Sequence, residues 1–378
     1  MPTRTHVLFA GGGTAGHLFP GLAVADRMVA HDPTLRVTFA IPGSEFECQW
    51  VHRHGYEYMK VPCAPRRFGP RGMWQFLKAN WSGYLAGSKA LNARRVSLVV
   101  GLGGYGSAPM GRAAIAQGVP LMLMEQNVIP GKATRWLARS AKLVCAAHEA
   151  ARPYFAKDCP LIFTGNPVRA EVAALSRSMP AHAEPDRPGM YRLMVLGGSR
   201  GAQSLNQSVP YALYRLRDQL GPWHIFHQSG ADDTEVTRAL YRKFALPARV
   251  EPFFADVAGV LRHTDLVVSR SGGTSLAELA CAGVPAICIP YPHAADGHQL
   301  ANAQVYAREG ACRVFDSAPY AGRYDAELAE VLSDVLASAE IRSEMSQRMR
   351  RLGRPDAAEQ VASLARNLLA GVPARQAA

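Results

Sequence analysis

An apolar strand that ends in glycines and runs straight into a helix constrains a fold more than any other local pattern, and this sequence repeats it. His6-Val-Leu-Phe-Ala10 leads into Gly11-Gly-Gly-Thr-Ala-Gly-His17, then a helical stretch over 21–30 and a second strand over 36–41. Strand, glycine loop, helix, strand is the βαβ building block of a parallel sheet. Far downstream, Tyr191-Arg-Leu-Met-Val-Leu196 leads into Gly197-Gly-Ser-Arg-Gly201, and Ala202-Gln-Ser-Leu-Asn206 opens another helix.

The two halves echo each other again. Leu98-Val-Val-Gly-Leu-Gly-Gly104 precedes Ala114-Ile-Ala-Gln-Gly-Val-Pro120 and a strand over 121–124; Leu266-Val-Val-Ser-Arg-Ser-Gly272 precedes Leu279-Ala-Cys-Ala-Gly-Val-Pro285 and a strand over 286–289. Two copies of one supersecondary pattern imply two similar doubly wound α/β domains. Between them, residues 175–189 carry Pro180, Pro185 and Pro188 with little apolar periodicity, which reads as a linker or surface loop. The length of 378 residues fits, since domains of about 150 residues give about two to three.

Composition narrows the class. Apolar residues make up 48% and charged residues 19%, enough to bury a core and too apolar for a disordered chain. The seven cysteines are scattered and form no C-x-x-C, which excludes a zinc knuckle, a thioredoxin motif and a small disulfide scaffold, and suits a reducing compartment. No run approaches the ~18 apolar residues of a membrane span, and the start lacks a signal-peptide core. A soluble cytosolic protein is the expectation. The net charge of +12 invites an anionic partner, although only 7 of the 42 basic residues are Lys, and heavy Arg usage also follows from genome composition.

In open α/β sheets ligands bind beyond the carboxyl ends of the strands, and the unusual residues fall there. Gly197-Gly-Ser-Arg-Gly201 offers backbone N–H groups to a phosphate, or is a tight turn; it is not a Walker A sequence, so ATP hydrolysis loses support. His17 closes the first glycine loop as a candidate general base, with a capping or ligand-positioning role as the alternative. Glu125-Gln-Asn127 suits hydrogen bonding to a sugar, or is a solvent-facing loop. In Ser271-Gly-Gly-Thr-Ser-Leu-Ala-Glu278, Glu278 suits ribose hydroxyls or simply complements a helix N-terminus, and Arg270 suits a diphosphate. His293 and His298 are five apart across a glycine, a poor metal pair, and no D-x-D occurs. Finally, Arg66-Arg-Phe-Gly-Pro-Arg-Gly-Met-Trp-Gln-Phe-Leu-Lys-Ala-Asn-Trp81 puts Met73, Phe76, Leu77 and Trp81 at helical spacing beside basic residues. It suits an anionic lipid surface or, more blandly, a helix covering the sheet; no RNA-binding signature accompanies it.

Taken together, Gly11-Gly-Gly-Thr-Ala-Gly-His17, Gly101-Leu-Gly-Gly-Tyr105, Glu125-Gln-Asn127, Gly165-Asn-Pro-Val-Arg169, Gly197-Gly-Ser-Arg-Gly-Ala202, His227-Gln-Ser-Gly230, Ser269-Arg-Ser-Gly272 with Glu278, and His298-Gln299 with Asn302 resemble the family-28 glycosyltransferases of peptidoglycan synthesis. The pieces span residues 6 to about 310 in the family's order. The resemblance implies a GT-B fold: two doubly wound Rossmann-like α/β domains facing across a cleft. Residues 1–169 would form the acceptor and membrane side, 170–350 the UDP-GlcNAc side, and 351–378 a helix crossing back. It implies inverting transfer of GlcNAc from UDP-GlcNAc to the MurNAc 4-hydroxyl of undecaprenyl-diphospho-MurNAc-pentapeptide, without cofactor, metal or nucleic acid, at the cytoplasmic face of the inner membrane.

By the same resemblance Ser199 and Arg200 would meet the diphosphate, with Arg270 and Arg169 nearby. The Phe254 backbone would read the uracil, and Gly273, Thr274, Ser275, Leu276 and Ala277 would line the nucleotide. Glu278 would take the ribose hydroxyls, while His298, Gln299 and Asn127 would serve the GlcNAc. Thr14, Ala15, Gly16 and His17 would line the opposite wall with Tyr105 and Glu125, His17 being the first candidate base and Glu125 the second. Because the acceptor is membrane-bound, Phe68, Met73, Trp74, Phe76, Leu77 and Trp81 become a candidate docking face. Two departures stand out: Ala15 where some relatives have Gly, and Arg200 where some have Gln. The rivals are a family-28 enzyme with another lipid or small-molecule acceptor, a UDP-GlcNAc 2-epimerase, and a non-catalytic nucleotide-binding module.

Overall fold

A computed structural model describes residues 5–65, 69–178, 190–198, 201–320 and 322–372. The chain forms two compact units, Met1–Arg169 with Asp356–Ala378, and Ala170–Pro355. Ser199, Arg200 and Phe68 lie outside the described residues.

The first unit is built on strands β1 (His6–Gly11), β2 (Arg36–Ile41), β3 (Glu57–Lys60), β4 (Leu98–Gly103), β5 (Leu121–Glu125), β6 (Leu143–Ala146) and β7 (Leu161–Phe163). All pair in parallel, in the order β3-β2-β1-β4-β5-β6-β7. A parallel sheet must be covered on both faces, which is why β1 and β4 are buried at every position. The covering helices include α1 (Ala15–His31), α2 (Glu45–Arg53), α3 (Pro70–Arg94), α4 (Ser107–Ala116) and α5 (Lys132–Leu137). Leu8, Val99, Leu123 and Val144 pack on one face with Leu91 of α3, Met110 of α4 and Leu137 of α5. Elsewhere in the sheet core Phe9 stacks on Phe39, ring centroids 5.0 Å apart.

α1 begins six residues before the start read from sequence and carries Pro20 inside it. The proline costs one ladder bond, yet burial of Leu18, Phe19 and Leu22 around it holds the first turns. The basic aromatic segment is indeed helical, but α3 runs on to Arg94. Its inner face is Gly83, Gly87 and Leu91, and it turns Trp74, Leu77, Trp81 and Leu85 outward. Met73 and Phe76 are half-buried.

The second unit repeats the plan with α6 (Ala170–Ser178), β8 (Tyr191–Leu196), α7 (Gln203–Arg215), β9 (Trp223–Gln228), α8 (Thr234–Lys243), β10 (Ala248–Glu251), α9 (Val257–Leu261), β11 (Leu266–Ser269), α10 (Gly273–Ala282), β12 (Ala286–Cys288), α11 (His298–Arg308), β13 (Cys312–Val314), α12 (Asp325–Ala337) and α13 (Ala339–Leu352). Its six strands, again parallel, take the order β10-β9-β8-β11-β12-β13. Leu193, Val195, Leu266, Val268 and Ile287 form its core with Val209 and Leu213 of α7 and Leu328 and Leu332 of α12. The segment read as a loop from residue 175 is still helical there, because Val172 and Leu175 of α6 are fully buried. The chain then returns to the first unit as α14 (Ala357–Leu369), which packs on α1 with a 2.7 Å contact between His31 Nε2 and Glu359 Oε1. No helix among the described residues is long and apolar enough to cross a membrane.

Candidate active site

Both strand orders reverse direction once, between β1 and β4 in the first unit and between β8 and β11 in the second. At such a switch point adjacent connections diverge and leave a crevice at the carboxyl ends of the strands. The helices that follow these four strands, α1, α4, α7 and α10, carry no acidic residue in their first turns. Acids do occupy the first turns of α2, α8 and α12: Glu45 and Glu47, Glu235, and Asp325 and Glu327. The positive helix ends are thus left without an acidic side chain where an anionic ligand would be wanted.

In the first unit, Thr14 is the N-cap of α1 in extended conformation, and Ala15, Gly16 and His17 form the first turn. Ala15 is not among the residues with positive φ, so a Cβ there is tolerated. Thr14 leaves the capping bond unmade. Its hydroxyl instead lies 2.9 Å from His17 Nδ1. The other side of the imidazole lies against the end of β4. Gly103 has φ +92°, and a Cβ added there would stand 2.8 Å from His17 Cδ2 and 3.2 Å from Nε2. Glycine is required both for that conformation and for that approach. Tyr105, exposed at the start of α4, borders Gly13.

Glu125 and Asn127 do not reach outward together; they bond each other. Glu125 Oε1 accepts from Asn127 N at 3.0 Å and Asn127 Nδ2 at 3.1 Å, and Oε2 accepts from Gly131 N at 3.1 Å. Thr134 donates a further bond. Burial pushes the Glu125 carboxyl above its usual range, against the pull of these donors. It is a strut for the loop into α5, with its oxygens already occupied. Gln126, absent from the sequence reading as a separate candidate, donates from Nε2 to Leu102 O at 3.0 Å, while its buried Oε1 has no partner among the described residues and faces Gly103. Arg169 stacks its guanidinium carbon 4.8 Å over Phe19 of α1.

In the second unit Arg270 leaves the end of β11. Nη1 donates to the Ile289 and Pro290 carbonyls, at 3.0 and 3.1 Å, and Nη2 to Ser204 Oγ at 2.6 Å. Burial lowers its pKa, the mark of a cation held partly out of water. No carboxylate pairs with it among the described residues. The first turn of α10 supplies Gly273, Thr274 and Ser275, with Leu276, Ala277 and a buried Glu278 in the next. Buried Ser271 donates to Gln299 O at 2.8 Å, and Asn302 Nδ2 to Ser271 O at 3.1 Å. These bonds fasten the start of α11 beside α10. Gln299 Oε1 accepts from Tyr291 N at 2.9 Å, and His298 Nδ1 donates to Ala295 O at 2.7 Å. Among the described residues no three of His, Cys, Asp and Glu are grouped to hold a metal.

Next to Gly198 and Gly201 lies a polar network that the sequence alone did not reveal. Asn206 Nδ2 donates to Ser229 O and Asp233 Oδ2, at 2.8 and 2.9 Å, so its Oδ1 must accept from His227 Nε2, 3.0 Å away. That fixes the His227 tautomer and leaves Nδ1 to accept from Tyr241 OH at 2.8 Å. Burial lowers His227 to about 3, so it is neutral. Gln228 donates to Gly198 O and accepts from Phe254 N, both at 3.0 Å. One amide thereby joins the glycine loop to the Phe254 backbone.

The glycosyltransferase family 28 N-terminal domain matches residues 7–146, and the family 28 C-terminal domain matches residues 192–361. A transferase from Acidithiobacillus ferrooxidans, named UDP-N-acetylglucosamine--N-acetylmuramyl-(pentapeptide) pyrophosphoryl-undecaprenol N-acetylglucosamine transferase, is 38% identical over 97% of this chain and 99% of its own length. The chain belongs to the family-28 glycosyltransferases. Among solved structures, MurG of Acinetobacter baumannii is 29% identical and superposes with a TM-score of 0.73 over 96% of this chain and 99% of that one. A UDP-N-acetylglucosamine 2-epimerase described as putative, from Listeria monocytogenes, is 13% identical with a TM-score of 0.67 over 100% of this chain and 99% of that one, which is a likeness of fold alone. The GT-B architecture therefore leaves the epimerase open, and the family-28 sequence relationship decides for the transferase.

Proposed function

We propose that this family-28 enzyme is an inverting N-acetylglucosaminyltransferase. It moves GlcNAc from UDP-GlcNAc to the MurNAc 4-hydroxyl of undecaprenyl-diphospho-MurNAc-pentapeptide. The second unit holds the donor and the first unit activates the acceptor. The observation that carries the donor assignment is Arg270: a half-buried cation with no carboxylate partner among the described residues, at a switch point flanked by two helix N-termini free of acids. A nucleoside diphosphate supplies the missing anion. Glu278 takes the ribose hydroxyls, and Gln299, whose Oε1 is engaged, offers Nε2 to the sugar. Ser199, Arg200 and the Phe254 backbone complete the nucleotide contacts.

Chemistry at the anomeric carbon then needs two things. The bond from C1 to the phosphate oxygen breaks, and UDP departs with the bonding electrons. Helix N-termini and Arg270 stabilise that charge as it develops. On the other face the acceptor hydroxyl must lose its proton. His17 is the candidate to take it: in the tautomer whose Nδ1–H donates to Thr14 Oγ1, 2.9 Å away, Nε2 carries the lone pair. Glu125, with its oxygens already held, sets the loop beside it.

The acceptor is a lipid, and α3 suits a lipid surface. Trp74, Leu77, Trp81 and Leu85 are 61%, 57%, 63% and 52% exposed, and at about 100° per residue they fall within an arc of roughly 80°. Arg71, Lys78 and Lys89 run along one flank of that stripe, exposed to solvent, and Lys78 Nζ lies 4.8 Å over the Trp74 ring. Apolar residues would enter the interface and the basic rail would meet anionic headgroups, which supports a peripheral position at the cytoplasmic face of the inner membrane.

The test is transfer of labelled GlcNAc to a synthetic lipid-linked muramyl acceptor, with release of UDP. Label in a disaccharide-lipid is expected. Conversion of UDP-GlcNAc to UDP-ManNAc without acceptor would make the protein an epimerase instead.

A further inference from the structure

We infer that Glu47 is a positioning residue for the reaction: from the first turn of α2 its buried carboxylate fixes the β1–α1 loop and, through it, the placement of His17. The inference rests on the reading of His17 as base.

Glu47 is 1% exposed. Its Oε2 accepts from Ser44 N at 3.1 Å and Ser44 Oγ at 2.8 Å, and Ser44 Oγ in turn receives the Glu47 N–H at 3.4 Å. That is a capping box, and it accounts for one oxygen only. Oε1 accepts instead from Gly13 N at 2.5 Å, across 34 residues of sequence. No basic side chain pairs with Glu47 among the described residues. A helix cap needs no such burial. A carboxylate taken out of water without a cation is costly unless hydrogen bonds replace its hydration, and here one of those bonds is to the glycine loop.

The loop is shaped around this contact. Gly12 has φ +124°, and a Cβ there would run into Glu47 Oε1. Gly13 is held between Glu47 on its N–H and the Tyr105 ring, 3.5 Å from where its own Cβ would be. The next residue is Thr14, which starts α1 and contacts His17 Nδ1. Glu47, Gly13, Thr14 and His17 are therefore successive links. Removing the first frees the peptide that sets the direction of the last.

The experiment measures steady-state transfer by E47A, E47Q and S44A, with thermal unfolding of each. E47A is expected to lower kcat about 100-fold, the scale of an ångström-sized misplacement, with KM for UDP-GlcNAc within about twofold of the parent. E47Q keeps an amide oxygen for the Gly13 N–H and should recover about tenfold of that loss. S44A breaks the capping box but spares the Gly13 bond; its Tm should fall while kcat stays within about threefold. Folded E47A with parental kcat overturns the inference. So does S44A losing turnover as severely as E47A, which would make Glu47 a cap and nothing more. If E47A does not fold, E47D decides, since it withdraws the carboxylate by about 1.5 Å: parental kcat overturns the inference, and a loss of about tenfold at unchanged KM supports it. H17A run alongside separates the two readings. Active H17A defeats the base assignment whatever Glu47 does; inactive H17A with fully active E47A defeats only the role of Glu47.

Discussion

Gly103→Ala tests the placement of His17 without touching the imidazole. Gly103 holds φ +92°, a conformation that costs a residue with a Cβ about 1–2 kcal/mol. The new methyl would sit 2.8 Å from His17 Cδ2, 3.2 Å from Nε2 and 3.3 Å from Gln126 Oε1. Carbon–carbon contact is comfortable only at about 3.5–4.0 Å, so the ring must retreat by roughly 1 Å. Misplacement on that scale costs about 100-fold in rate. The groups proposed to hold the nucleotide belong to the other unit, so UDP binding should stay within about twofold by calorimetry, well under 1 kcal/mol. The assay is initial-rate transfer to a lipid-linked acceptor at saturating UDP-GlcNAc, with circular dichroism to confirm folding. A folded Gly103→Ala enzyme with near-parental kcat would refute the idea that the end of β4 sets the working position of His17.

Other consequences follow from single residues. His227, held near 3 by burial, takes up a proton only after the unfolded chain does, at about 6.5; its contribution is complete above that pH and is lost as pH falls toward 3. At pH 5 the loss is about 2 kcal/mol, so denaturant melts of His227→Gln should show a flatter decline between pH 6.5 and 5 than the parent, and equal slopes would contradict the assignment. Glu125→Gln turns an amide NH2 toward donors that now meet an oxygen, which should cost about 1–3 kcal/mol of stability yet leave kcat within about tenfold; a collapse of turnover in stable, folded protein would transfer the base role to Glu125. Glu278→Ala should weaken UDP binding by about 1.5–3 kcal/mol, the value of a hydrogen bond to a charged group, and an unchanged titration would remove the ribose assignment. Trp74→Ser, Leu77→Ser and Trp81→Ser combined should abolish flotation with anionic liposomes, and equal flotation would dismiss α3 as the docking face.

Much of the architecture was legible because it rests on strong, local signals. Fully apolar strands such as β1 and β4, each ending in glycine, announce a buried parallel sheet, and the duplicated Gly-Val-Pro turns announce two of them. What sequence does not show is which polar partner a side chain finds. Glu125 and Asn127 share a face by alternation, but whether they turn to a ligand or to each other depends on the Gly131 and Thr134 donors folded back over them. Periodicity identified α3, but its inward residues are small glycines rather than Met73 or Phe76, so the outward stripe runs on to Leu85. Glu47 did leave a signal: Ser44-Glu-Phe-Glu47 has capping-box spacing. Its bond to Gly13 is long-range and belongs to the fold.

The most direct test of the division of labour is a crystal structure with UDP-GlcNAc bound. The diphosphate should lie at the N-termini of α7 and α10 within hydrogen-bond reach of Arg270, with the ribose hydroxyls on Glu278. Nucleotide density instead at the ends of β1 and β4, against Thr14 and Gly104, would contradict it.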